Sequence, residues 1–216
     1  VEPGADEVFN TMRISRVAAE RVCRLAFCIA QKRKKRVALI DKSNVLSSMV
    51  FFRSIFDGVA AEFSDCKTEH LYIDATALFL VRDPGRFDVL VTENMFGDIL
   101  SDLGAGLVGG MGMAPSGDIG DNGAVFQPAH GSAPDIIGKG IANPVAMVLS
   151  AAMMLDWLDH PETKRGGAAL SAAVAQVLSD PSRRTPDMGG QLSTIDMTNA
   201  ISNALKKTIA QTGKTT

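Results

Sequence analysis

Short apolar runs alternate along this chain with longer segments of helical periodicity, and that alternation restricts it to an α/β architecture. Within residues 14–31, Val17, Ala18, Val22, Leu25, Ala26 and Ile29 recur at spacings of three, four and seven, which predicts a helix with Ser15 as N-cap. The basic run Lys32-Arg33-Lys34-Lys35-Arg36 closes it, placing cations at the negative end of the helix dipole. Residues 36–40 predict a short strand that leads into the polar cluster Asp41-Lys42-Ser43-Asn44. The pattern continues with a helix at 49–61, a strand at 69–74, a helix at 75–82, a buried strand at 87–92 and a helix at 96–108. Residues 114–144 are rich in Gly, Pro, Asp and Asn and are predicted to form a loop region, and so long a loop in a compact domain usually has a function. Helices follow at 144–157, with Asn143 as N-cap and Pro144 in the first turn, at 162–178, weakened by Gly166 and Gly167, and at 193–210. The elements predict pieces of two domains, 1–105 and 106–216.

Charge and cysteine content exclude several classes. The net charge of −2 argues against a nucleic-acid binder resting on the Lys32–Arg36 run alone. Three cysteines without a C-x-x-C spacing argue against a disulfide framework and against a zinc cage. They fit a reducing, cytoplasmic setting, with Cys23 and Cys28 as core filler. No apolar stretch reaches the ~18 residues needed to span a bilayer; 145–158 is apolar but too short. The chain opens on Val1 in a Pro/Gly/acidic stretch, which predicts that further sequence precedes it.

Three segments have spacings that chemistry can use. Asp98 and Asp102, four apart on a predicted helix, present two carboxylates on one face with no lysine or arginine within a turn to offset their repulsion. Such a pair can be solvated, or it can hold a hard divalent cation such as Mg²⁺ or Mn²⁺ in a cleft, as the apolar neighbours Ile99, Leu100 and Leu103 suggest. Lys42 stands at a strand's carboxyl end, where open α/β sheets place their sites; it is either an exposed turn lysine or a general base. In His130-Gly131-Ser132-Ala133-Pro134-Asp135-Ile136, small residues allow close approach of a ligand to the backbone and an aspartate could take ribose hydroxyls; by itself the segment is equally a plain loop. Neither it nor the Gly109–Gly112 run is a G-x-G-x-x-G fingerprint in a strand–helix context.

Taken together and in order, these segments resemble one family. Asp41-Lys42-Ser43-Asn44-Val45-Leu46, Tyr72-Ile73-Asp74, Asn94-Met95-Phe96-Gly97-Asp98-Ile99-Leu100-Ser101-Asp102 and Gln127-Pro128-Ala129-His130-Gly131-Ser132-Ala133-Pro134-Asp135-Ile136, with Gly138-Lys139-Gly140-Ile141-Ala142-Asn143-Pro144, are similar to signatures of the β-decarboxylating dehydrogenases. This family acts on isopropylmalate, isocitrate, homoisocitrate, tartrate and D-malate. The resemblance covers nearly the whole chain and implies an isopropylmalate-dehydrogenase-like two-domain α/β fold with its amino-terminal part missing. Residues 1–105 would belong to the dimerisation and metal-site domain and 106–216 to the carboxyl-terminal part of the cofactor domain. It further implies Mg²⁺ or Mn²⁺ on Asp74, Asp98 and Asp102, and Lys42 as acceptor of the substrate hydroxyl proton. NAD would be held by His130, Gly131, Ser132, Ala133, Asp135, Ile136 and Asn143, with Asn44 near the nicotinamide. Relatives that use NADP typically carry Lys-Tyr where this chain has Asp135-Ile136, so NAD is expected. The active form would be a homodimer in which Lys42 and Asp74 reach into the partner's site, and the helices at 14–30 and 100–108 resemble parts of the second domain, which packs against its twin.

The sequence departs from the family at Gln127, where Glu is usual, and the family's catalytic tyrosine and substrate-gripping arginines match no position here. Tyr72 is the one tyrosine and does not align with it. These groups are expected upstream, and without them turnover would be slight. Pro115–Gly120 and Thr185–Gly190 lean toward the homoisocitrate and isocitrate branches, Ser132–Pro144 fits isopropylmalate equally, and isopropylmalate, hence leucine biosynthesis, is the favoured substrate. The alternative is a non-catalytic fragment or regulatory subunit of the same fold; retention of Lys42, Asp74, Asp98, Asp102 and Asp135 together speaks against it.

Overall fold

The computed structural model describes residues 6–212. The chain divides into two compact units, one up to Leu103 and the other from Gly104 on.

The first unit is built on β1 (Arg36–Asp41), β2 (Lys67–Tyr72) and β3 (Val89–Val91), paired in the order β2-β1-β3 with all neighbours parallel. The helices are α1 (Arg16–Gln31), α2 (Ser47–Ala60), α3 (Ile73–Arg82) and the start of α4 (Asn94–Leu107). The central strand is buried from Val37 to Asp41. Successive strand side chains point to opposite faces, and each face has its own core. Val37 and Leu39 join Phe27, Phe52 and Phe56 of α1 and α2, while Ala38 and Ile40 join Leu80 of α3 and Leu100 of α4. Parallel strands with helices on both faces leave the strands' carboxyl ends free to carry functional groups.

In the second unit, β4 (Pro115–Ile119) and β5 (Ala124–Pro128) form an antiparallel hairpin that packs on α5 (Val145–Trp157); α5 packs on α6 (Pro161–Leu178), and α6 on α7 (Thr194–Thr212). The core joins Val145, Val174, Val177, Met197 and Ile201. Gly167 belongs to this packing: a Cβ there would stand 2.8 Å from the carbonyl oxygen of Ala152, so its absence lets α6 approach α5.

Four expectations are corrected. The periodic residues of α1 do form a helix but are not as a set its core side: Val17, Val22 and Ile29 are exposed, Ala26 is buried, and the core side is Ala19, Cys23, Ala26, Phe27 and Ala30. The register of the helix sets which face is buried, and that face carries Phe27, fully buried, beside the small residues. For the same reason of register Cys23 is buried, as expected, but Cys28 is exposed and fills no core. The region 114–144 is not all loop; its Gly- and Asp-rich sequence hid the β4–β5 hairpin, in which Gly117 lies under the Phe126 ring. Finally, β2 ends at Tyr72, and Asp74 stands in the first turn of α3, where backbone N–H groups attract a carboxylate. Ser15 does cap α1, accepting from the Ala18 N–H at 3.3 Å. At α5 the helix starts one residue later than expected, yet Asn143 still supplies the capping bond, accepting from the Val145 N–H at 3.0 Å.

Among the described residues no helix is long and apolar enough to cross a membrane.

Candidate active site

The carboxyl ends of β1 and β2 lie side by side, with Asp41 and Tyr72 as register partners. The next residues beyond them carry opposite charges. Lys42 Nζ donates to Asp74 Oδ1 at 2.7 Å, with the lysine side chain about a quarter exposed and the carboxylate open to solvent. The Lys42 ammonium, and then the N–H groups of Asp74 and Ala75 at the start of α3, hold the Asp74 carboxyl below its ordinary range. The turn after β1 is closed on Lys42, whose carbonyl accepts from the N–H groups of Val45 at 3.0 Å and Leu46 at 2.9 Å. Asn44 is exposed within this turn.

β3 leads into α4 through Glu93, whose two carboxylate oxygens accept from the N–H groups of Met95 and Phe96 at 2.9 and 2.8 Å. This capping orients the helix. Phe96 and Leu100 face the core, which turns Asp98 and Asp102 outward. Both are exposed rather than set in a cleft, and among the described residues neither has an ion-pair partner. Two adjacent carboxylates without a cation form an oxygen donor set suited to a hard divalent ion. Among the described residues no three His, Cys, Asp or Glu side chains of this one chain gather around a common point, so Asp74 does not join Asp98 and Asp102 within it. The resemblance assigns Lys42 and Asp74 to a partner's site, so it does not call for such a gathering.

In the second unit, the segment from His130 to Asn143 folds over a cavity of about 470 Å³, which is lined mainly by apolar atoms. Of the residues expected to hold NAD, His130, Gly131, Ser132, Ala133, Ile136 and Asn143 line it; Asp135 lies between Ala133 and Ile136, exposed, in the first turn of a short 3₁₀ segment. Ala133 adopts a left-handed backbone, φ 44°. His130 Nδ1 donates to the Gly131 carbonyl at 2.8 Å, since a carbonyl can only accept. Asn143 is buried and held at both ends of its amide, by Val145 N–H and by Asp187 Oδ2 at 3.0 Å. Thr194 secures the far end of the segment, donating its N–H to Gly140 O at 2.8 Å and its hydroxyl to Ala142 O at 2.6 Å. The cavity is an apolar slot edged by polar backbone, the kind of surface that takes a small organic ligand.

Sequence reasoning did not single out Asp187 or Gly112. Asp187 accepts from Thr185 as well as from Asn143, and the Thr-Pro-Asp order, with an acceptor two residues after a hydroxyl, was the available signal. At Gly112 a Cβ would stand 2.7 Å from Asn143 Cβ and 2.8 Å from Asp187 Oδ2, so only glycine fits there. Gln127 is exposed on β5, opposite Ser116, and its carbonyl accepts from Ser150 at 2.8 Å.

The comparisons with known proteins agree on one family. The family model for isocitrate/isopropylmalate dehydrogenase matches residues 2–201. The 3-isopropylmalate dehydrogenase of Albidiferax ferrireducens is 46% identical over 209 residues, covering 94% of this chain and 58% of that protein. The isocitrate/homoisocitrate dehydrogenase of Thermus thermophilus is 50% identical over 195 residues, covering 89% and 57%. The crystal structure of isocitrate dehydrogenase from Methylococcus capsulatus superposes with a TM-score of 0.88 at 38% identity, covering 95% of this chain and 61% of that one. The chain thus spans about three-fifths of the length of the relatives it matches. A match along nearly its whole length, on a shared α/β fold, places this chain in the isocitrate/isopropylmalate dehydrogenase family.

Proposed function

We propose that the protein containing these residues is an NAD-dependent, Mg²⁺- or Mn²⁺-dependent dehydrogenase that oxidatively decarboxylates a 2-hydroxy acid. 3-Isopropylmalate is the favoured substrate, which would place the enzyme in leucine biosynthesis in the cytoplasm. Relatives at 44–46% identity bear that substrate's name. Isocitrate, homoisocitrate, tartrate and D-malate are the alternatives, and the 50% identity to an isocitrate/homoisocitrate dehydrogenase keeps the first two of these close. The observation that carries the reading is the 2.7 Å pairing of Lys42 with Asp74 at the carboxyl ends of adjacent parallel strands.

In this reading Lys42 takes the hydroxyl proton as hydride leaves the carbon that bears it. To accept that proton Lys42 must be the neutral amine, its own proton having passed to solvent. Its neighbour Asp74, kept ionised, pairs with the ammonium that the transfer forms. Asp74, Asp98 and Asp102 would hold the divalent ion; when bound, that ion is the Lewis acid for oxidation and for loss of CO₂. The His130–Asn143 segment would seat the adenosine of NAD, whose nicotinamide accepts the hydride, with Asn44 beside that ring. Asp135 would bond the ribose hydroxyls and repel a 2′-phosphate. The site is completed by a second copy of the chain. Exposed Val17, Val22 and Ile29 on α1 and Ile99 and Leu107 on α4 support such pairing, since these apolar side chains lack a cover in one copy.

The test is NADH formation by the complete gene product with Mn²⁺ and, in turn, isopropylmalate, isocitrate, homoisocitrate, malate and tartrate. Turnover is expected with one of these and with NAD. Reduction of NADP but not NAD would contradict the role given to Asp135. An unchanged metal requirement in Asp98→Asn would contradict the carboxylate assignment.

A further inference from the structure

Asp41 is fully buried at the last position of β1, next to Lys42. An unpaired carboxylate there would be costly, and α2 supplies its partner. Arg53 donates Nε to Asp41 Oδ2 at 2.8 Å and Nη2 to Oδ1 at 3.0 Å, a two-pronged contact. Oδ1 also accepts from the Ser43 N–H at 3.0 Å, so the carboxylate binds the backbone on the far side of Lys42. The same guanidinium lies over Tyr72, its central carbon 5.8 Å from the ring centroid. Tyr72 is the last residue of β2 and the register partner of Asp41; its carbonyl accepts from Thr76 at 2.9 Å, which ties it to the first turn of α3, where Asp74 stands. One side chain thus touches the ends of both strands whose continuations carry the Lys42–Asp74 pair.

We propose that Arg53 is a positioning residue that sets the spacing of Lys42 and Asp74 by clamping Asp41 at one strand end and stacking on Tyr72 at the neighbouring one. Planarity and the fork are what the position requires. A lysine there would keep the charge against Asp41 but would lose the second hydrogen bond and the flat face over the ring. The inference rests on the reading of Lys42 as proton acceptor.

Arg53→Lys in the complete gene product tests it, with NAD, Mn²⁺ and the hydroxy acid that the wild-type protein oxidises. Misplacing a reacting group by a fraction of an ångström is expected to lower kcat per folded site roughly ten- to hundredfold, with the KM for NAD held within about twofold. A purely structural role would instead lower the unfolding temperature and the folded fraction, and leave kcat per folded site unchanged. Tyr72→Leu, at a partly exposed position that does not disturb the Asp41 pair, is the second variant and is expected to lower kcat several-fold, with Tyr72→Phe recovering most of the loss. Wild-type turnover with kcat unaltered in Arg53→Lys, or in Tyr72→Leu should the first variant not fold, overturns the positioning role alone. A wild-type protein inactive on all five hydroxy acids overturns the dehydrogenase reading beneath it.

Discussion

At the scale of single residues, burial and charge decide which side chains respond to reagents and acid. Burial pushes the Cys23 thiol up to about 12, so at neutral pH it is neutral and out of reach. Cys66 is half-buried and also raised, first by burial and then by Asp65, whereas Cys28 is open to solvent. Native protein treated with a thiol reagent is expected to label at Cys28 first, Cys66 slowly and Cys23 only on unfolding; mass mapping of the labelled peptides checks the order. Asp88 is a second case. Burial raises its carboxyl, but the Arg33 guanidinium and the N–H groups of Arg36 and Lys34 outweigh this and hold it below its ordinary 3.8. A depressed folded-state value means stabilisation that is complete above the ordinary value and fades as pH falls through the folded one. Asp88→Asn is therefore expected to cost about 1–3 kcal/mol at neutral pH, with the gap to wild type closing below about pH 4. Urea midpoints measured across that range read the convergence. Residues of this kind were only partly legible in the sequence. Lys42 and Asp41 drew attention because they end a strand, but the partner that matters to Asp41 is twelve positions away on another element, and nothing in local spacing announces Arg53.

At the scale of elements, period and punctuation were good guides to helices and parallel strands and poor guides to faces. The periodic residues of α1 indicated a helix correctly, yet its core side is Ala19, Cys23, Ala26, Phe27 and Ala30, because several apolar residues of one helix can meet the same spacings on different faces. The β4–β5 hairpin was missed because its strands carry Gly, Pro, Asp and Ser, residues that locally favour turns; pairing with each other and packing on α5 overrode that preference. The Gly166–Gly167 pair shows the same tension. Both glycines weaken α6 locally, but only Gly167 meets a backbone atom of α5. Gly167→Ala is expected to destabilise by about 1–3 kcal/mol through overpacking. Gly166→Ala, whose Cβ would make an ordinary 3.5 Å contact with Leu155, is expected to stabilise by up to about 1 kcal/mol through helix propensity. Denaturant unfolding of the two variants side by side gives opposite signs if α6 packs as described.

At the scale of the whole molecule, the family was legible because four motifs occur in order, and the family model matches the stretch that holds them, residues 2–201. The assembled site was not legible from geometry within one chain. Its acidic groups lie on exposed faces, and among the described residues they do not converge, because a fold alone fixes only the contacts a chain makes with itself. The central claim is that Lys42 and Asp74 of one copy work with Asp98 and Asp102 of another. Mixing two inactive full-length variants, Lys42→Met and Asp98→Asn, after joint unfolding and refolding tests it directly. In a two-fold dimer with shared sites, a mixed dimer carries both defects in one site and none in the other, so activity is expected to recover to roughly a quarter of wild type. Mixtures that form mixed dimers yet stay as inactive as either parent would contradict the shared site.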